Sequence, residues 1–438
     1  MAGSDLLLHG RPARRGSNVS SDTGSAQRVG HAPFCGTRAW LLAACAVGIA
    51  TQTSLRSVPN LVMNGETGMA NEFGWSNTQR GEILAAFGWG YTLTQIPGGL
   101  VSQVVGPKRT LLVAVAVGSV AGLFIPFGSR LSFIVPLALN FIIGMAQGPL
   151  FPVLFGLLAR WMRPSEMARA NAMMGAAWNM GQVIQYLLSP ILLKLAGWPL
   201  AYYFFAGSGA AWILWWHVVA ADAPEVHPRI KAQELAWIQT DPISIVSGDA
   251  RSMSHDASIR LKAELLGQRE MQDAIERNLS KQTKLAGEPA EFNAAIFVKI
   301  SCQAPVMVVS FCSMLDGLAN SYANWLPQYY SQQLDYDLES TGIMVALPML
   351  IGVVSSVLGG LAADAVLARG HPVSSVRRWF NFVPSLLIAC CTLSLVWITD
   401  AATVVGLMMT ANFLMGFKNA GIGPVTMELS RAYAAVRH

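Results

Sequence analysis

From Trp40 onward the chain alternates long apolar runs with short polar breaks. The runs lie near 39–62, 81–104, 110–128, 132–158, 170–193 and 199–220, then near 297–325, 341–365, 379–399 and 401–424. Each holds roughly 20 residues, enough for a helix to cross the hydrocarbon core of a bilayer. Lipid offers no partner to an open backbone N–H or C=O, so such spans must be helical. The pattern predicts an all-α polytopic membrane protein of about ten spans.

The polar stretches divide the chain. Residues 1–38 are rich in Ser, Gly and Arg and are expected to be a disordered tail. Residues 39–220 form a first half of six spans, 221–295 a long loop, and 296–438 a second half with four spans present. Within the loop, 255–285 carries mixed charges at helical spacing, which predicts a solvated helix and makes the loop partly helical. Basic residues then orient the chain. With the tail inside, Arg14, Arg15, Lys108, Arg109, Arg160, Arg163, Arg169, Arg369, Arg377 and Arg378 all fall inside, against Arg80, Arg130 and Lys194 outside. The membrane of residence is left open.

Composition agrees with lipid as the main solvent: 53% of residues are hydrophobic and 13% charged, where a soluble domain carries about a quarter charged. A net charge of +5 supplies no case for nucleic acid. The six cysteines lie almost entirely in or beside apolar runs, without metal-ligand spacing, and read as small buried hydrophobes. No metal spacing, Ser-His-Asp set or phosphate loop points to an enzyme, and no cofactor is expected.

Two glycine pairs recur at matching places. Pro97-Gly98-Gly99-Leu100 ends the second span before Gly106-Pro107-Lys108-Arg109, and Gly359-Gly360-Leu361-Ala362 ends the eighth before Asp364 and Arg369. Parallel repeats of six helices are the major-facilitator architecture, with the substrate site between halves. The pairs are expected to permit close contact at the seam between halves. Four spans fall short of a six-span half, so the second half reads as truncated, with two further apolar spans expected beyond His438.

The run Phe87-Gly88-Trp89-Gly90-Tyr91-Thr92-Leu93-Thr94-Gln95-Ile96-Pro97-Gly98-Gly99 closely resembles the second-helix signature of the anion:cation symporter family, a major-facilitator branch. Three further segments match in order: Gly144-Met145-Ala146-Gln147-Gly148-Pro149 with Trp161 and Glu166, Gly197-Trp198 with Tyr202-Tyr203, and Asp222-Ala223-Pro224-Glu225. That branch includes vesicular glutamate transporters, sialin and plant phosphate transporters. The resemblance implies an alternating-access transporter of small organic or inorganic anions, with a co-transported cation as an open partner. It does not choose a substrate.

Arg56 lies deep in the first span, where an arginine costs several kcal/mol unless paired or facing a wet cavity. Its fork fits a carboxylate or phosphate and cannot lose its charge. It is the first candidate for anion contact, the alternative being an arginine that locks helix packing. The resemblance points to contact. Further substrate candidates are Tyr91, Gln147, Asn320, Tyr322 and, near a helix end where it can also snorkel, Lys418. Gln147 stands where family members usually carry a glutamate linked to proton coupling, Asn140 where some carry a second arginine, and Leu55 where bacterial members tend to have aspartate. Asp316 in the seventh span remains as a coupling candidate, a cation ligand or the neutraliser of Arg56. Lys108, Arg109, Glu166, Arg169 and Asp364 are expected to form a charge network on the inside face.

Three readings follow: an anion transporter, an organophosphate or anion exchanger, or a non-transporting membrane sensor related to transporters. A glutamine cannot titrate, so the chain is expected either to couple differently or to use no protons at all. A proton-flux assay in reconstituted vesicles checks this, and matched H+ and substrate fluxes would refute the stronger form.

Overall fold

The apolar runs emerge as helices in a computed structural model that describes residues 36–65, 67–239, 307, 324–332, 336–398 and 400–435. The first series is α1 (Thr37–Val62), a short α2 (Met69–Glu72), α3 (Asn77–Val105), α4 (Pro107–Ser129), α5 (Ile134–Gln147), α6 (Leu150–Trp161), α7 (Pro164–Ala196) and α8 (Trp198–Val219). A 3-10 turn at Pro224–Val226 leads to α9 (Ala232–Gln239). The second series is α10 (Leu326–Gln332), α11 (Leu338–Ala368), α12 (Val373–Ser394) and α13 (Ala401–Ala435). Among the described residues there is no strand. The tail to residue 35, the 255–285 stretch and most of the 297–325 run lie outside them.

Among the described residues five segments are long and apolar enough to cross a membrane: Thr37–Val62, Pro107–Ser129, Ile134–Trp161, Leu338–Leu367 and Ala401–Gly421. Their outward residues suit lipid, as on α4, where Val113, Val120, Phe124 and Phe127 are exposed. The chain is an integral membrane protein.

The run near 132–158 is two helices. Gly148 and Pro149 separate α5 from α6, because a proline supplies no N–H to continue the ladder. Pro149 also fills a notch on α3, where a Cβ on Gly98 would stand 2.2 Å from its Cγ.

Close packing depends on glycine where two backbones meet. A Cβ on Gly144 of α5 would lie 2.1 Å from the Phe87 carbonyl oxygen of α3, and one on Gly90 of α3 would lie 2.1 Å from the Phe141 oxygen. The α1–α7 contact repeats the device: a Cβ on Gly181 would come 2.3 Å from the Ala50 oxygen, and the Ser54 hydroxyl donates to the Gly181 carbonyl at 2.7 Å. The paired glycines correct the expectation that they mark the seam. Gly98 and Gly99 face Pro149 and Pro152, and Gly359 meets the Gly416 backbone of α13. Only Gly360 looks across to α7, in ordinary contact with Ala172. Three of the four therefore close contacts between neighbouring helices of one series.

Three apolar clusters result. One gathers Leu41, Leu42, Cys45 and Ile49 of α1 with α4, α6 and α8, near the end of the bundle where α1 begins. That end also holds the 220–239 segment and is called the linker end below. A second gathers Leu55, Val58 and Val62 with α2, α3, α5 and the start of α8, at the far end. A third joins Leu61, Val183 and Tyr186 to α10, α11 and α13, and so ties the two helix series together.

A backbone contact cannot yield as a flexible side chain can, so Gly144→Ala is expected to cost at least the roughly 1–3 kcal/mol typical of overpacking. Gly207→Ala, with nothing within 4 Å of its Cβ position, is expected to be neutral. Thermal unfolding of both variants in detergent checks the difference.

Candidate functional site

On α1 a polar layer, Gln52, Thr53, Ser54, Arg56 and Ser57, separates the two apolar clusters. The hydroxyls of Thr53 and Ser54 donate back to the Ile49 and Ala50 carbonyls, as hydroxyls in an apolar helix commonly do. Arg56 cannot satisfy itself that way. Its Cζ stands over the Phe87 ring of α3, 4.7 Å from the centroid, and over the Trp178 ring of α7, 5.0 Å away. Each ring is braced: Phe87 stacks on Tyr91 at 5.9 Å, and Trp178 tilts against Phe151 at 5.3 Å.

The side chain of Arg56 is partly exposed. Among the described residues it makes no hydrogen bond or ion pair, and the ionisable groups acting on it are the hydroxyls of Tyr91 and Tyr186. Cation–π contact is worth about 2 kcal/mol when desolvated, so two rings offset part of the cost of the charge. No hydrogen bond among the described residues occupies its N–H donors, which leaves a cation able to accept an oxyanion.

One turn further along α1, Asn60 donates to Asn324 at 3.2 Å and to the Tyr186 hydroxyl at 3.4 Å. Gln328 of α10 donates to Asn77 at the start of α3, and Trp325 covers Gly81. These contacts join α1, α3 and α7 to residues 324–328 at the far end. One turn the other way, the Gln147 amide donates to the Gln52 carbonyl oxygen at 3.0 Å and to its Oε1 at 3.2 Å. Gln147 is buried, and its bonds to Gln52 fasten α5 to the helix that carries Arg56.

The other candidates divide. Tyr91 joins Arg56 through Phe87, and Asn140 is buried with its amide on the Pro136 carbonyl. Lys418 is buried in α13, already engaged, and no contact joins it to Arg56. Asp316, Asn320 and Tyr322 lie outside the described residues, as does the Asp364 side chain.

Charged groups at the linker end include Arg38 and Glu234 beside the expected Glu166. Glu166 pairs with Arg38 at 2.7 Å, and Arg169 is exposed without a partner among the described residues. Glu166 sits in the first turn of α7, facing the start of α1, whereas Arg169 turns outward. Arg38 also meets Glu234 of α9 at 3.3 Å, and the Glu234 carboxylate accepts from the Thr37 and Arg38 backbone N–H groups. An acid at a helix N-terminus satisfies open donors and the helix dipole together. Lys108 contributes through its backbone, donating to Asp222 at 2.7 Å, while its ammonium reaches the His217 carbonyl; Arg109 is exposed. Sequence reasoning missed Arg38, Glu234, Asp222 and Gln52. An arginine immediately before the first apolar run was the available signal.

Comparison with known proteins adds the following. A family model described as Major Facilitator Superfamily matches residues 40–436. The chain is 27% identical over 369 residues to "Probable anion transporter 1, chloroplastic" of Oryza sativa subsp. japonica, covering 84% of this chain and 61% of that protein. It is 25% identical over 372 residues to "Vesicular glutamate transporter 3" of Danio rerio, covering 83% of this chain and 56% of that one. The chain thus spans about 60% of the length of such relatives. Among solved structures, a proton:xylose symporter bound to 6-bromo-6-deoxy-D-glucose superposes with a TM-score of 0.55 at 12% identity, over 87% of this chain and 80% of that one. That likeness concerns the fold.

Removing the charge of Glu234 weakens a cap and a buried pair at once. Glu234→Gln is expected to cost about 2 kcal/mol, the scale of hydrogen bonds to charged groups. Exposed Glu225→Gln is the control. Thermal unfolding of the two variants in detergent reads the difference.

Proposed function

We propose that this chain, which belongs to the major facilitator superfamily, is a secondary transporter of small organic or inorganic anions working by alternating access. Arg56 is the anion's contact. The observation that carries this reading is a guanidinium in the polar layer of α1 that stands over two rings and makes no ion pair among the described residues. A cation so placed is costly unless a ligand or water meets it, and a transported anion supplies that partner. Relatives named as an anion transporter and a vesicular glutamate transporter agree with a negatively charged substrate.

The helices of the two series form the two halves between which the substrate moves, and the tail and the 221–295 loop face inside. Contacts of Asn60, Trp325 and Gln328 at the far end support a reading in which the two halves meet on the outside in this conformation. The inside charges, Arg38 with Glu166 and Glu234, hold the linker end of the first half as a unit. Gln52 and Gln147 present amides where a titratable group would carry a proton. The driving ion is therefore not taken up there, and Asp316 is the acid to examine first. The same amide pair favours a second reading, an exchanger of organophosphates, which needs no titratable group.

Uptake of radiolabelled glutamate and inorganic phosphate into proteoliposomes tests the assignment. Arg56→Lys keeps a charge and loses the fork, and uptake of the transported probe is expected to fall by about tenfold or more. Uptake equal to that of the parent protein would overturn the role of Arg56.

A further inference from the structure

The clamp on Arg56 is assembled from three helices. Phe87 is brought in by the tightest backbone approach in the first series, because its own carbonyl oxygen is the atom that Gly144 packs against. Trp178 lies three residues before Gly181, whose backbone touches α1 at Ala50. Both rings are thus delivered by glycine contacts, and neither stacks on the other: the guanidinium bridges them. Phe87 is largely buried, and Tyr91 and Phe151 brace the two rings from behind.

Cation–π attraction draws a cation over the face of a ring. Arg56 stands over both rings and makes no hydrogen bond among the described residues, and its N–H donors form a fork that matches two oxygens of one oxyanion. A halide offers one centre and leaves half the fork unused.

We propose that Phe87 and Trp178 are positioning residues, which hold Arg56 between their faces so that its N–H fork meets a carboxylate or phosphate and prefers it to a halide. This rests on Arg56 being the anion contact. The substrate class that follows is the forked oxyanion, bound through one of its oxyanion groups.

The test uses the full-length protein in proteoliposomes, with radiolabelled glutamate and inorganic phosphate as forked probes and chloride as the unforked competitor. Phe87→Leu and Trp178→Leu are each expected to raise KM for the transported probe about tenfold, with kcat nearly unchanged, and to narrow the preference over chloride. Phe87→Tyr and Trp178→Phe are expected to restore most of the affinity. Fluorinated tryptophans at 178 keep the ring's shape and drain its face of negative charge, so KM should rise with each fluorine. A flat fluorine series, or Leu variants with unchanged KM beside an impaired Arg56→Lys, would reduce the rings to packing and overturn the proposal. A parent protein that carries neither probe, or an Arg56→Lys variant indistinguishable from it, would instead remove the anion contact and the proposal with it.

Discussion

A guanidinium keeps its proton at any pH a cell meets, and in this bundle it stands on α1 between two apolar clusters. Water or an opposite charge would be the ordinary remedy. The described residues supply aromatic faces instead, Phe87 and Trp178, with tyrosine hydroxyls as the nearby ionisable groups. That charge has no ion pair among the described residues, and helices come close enough around it for rings from α3 and α7 to reach α1.

Glycine makes the approach possible. At Gly90, Gly144 and Gly181 a single Cβ would collide with a neighbouring carbonyl oxygen, so side-chain volume has been removed where the helices cross. Lipid gives little hydrophobic drive for helices to associate, and dispersion at short range replaces it. Polar bonds then fix the register: Ser54 to Gly181, Gln147 to Gln52, Asn60 to Asn324. At the linker end the start of α1 is held by charge, with Glu234 bonded to its first N–H groups and Arg38 shared between two carboxylates. Rigid ends and a polar middle suit a structure in which helices move as units.

Arg56 could be singled out from the chain because charge inside an apolar run is rare and costly. Its surroundings could not. Phe87 and Trp178 read as ordinary aromatic residues of spans, since nothing local says which face of a helix meets which neighbour. Gln147 was legible as a group that cannot titrate, but its bond to Gln52 depends on α5 lying beside α1. Glu166 was expected beside Arg169 on its own helix, and its partner is Arg38 on another. The glycine pairs misled for a related reason: their recurrence is a property of the sequence, while the surface each one faces is set by packing.

Hydrophobic periodicity and span length are local quantities, and a bilayer turns them into structure by forbidding open backbone groups. The helical fold and the membrane environment therefore follow from the chain read residue by residue. Which side chains surround Arg56, where the run at 132–158 breaks against α3, and which acid caps α1 are contacts between segments far apart in the chain. Those contacts depend on helix rotation and on crossings of about an ångström's tolerance, made where a glycine leaves room, and linear order carries neither quantity. The charge was legible in the chain; the two rings that hold it became so only once three helices had packed together.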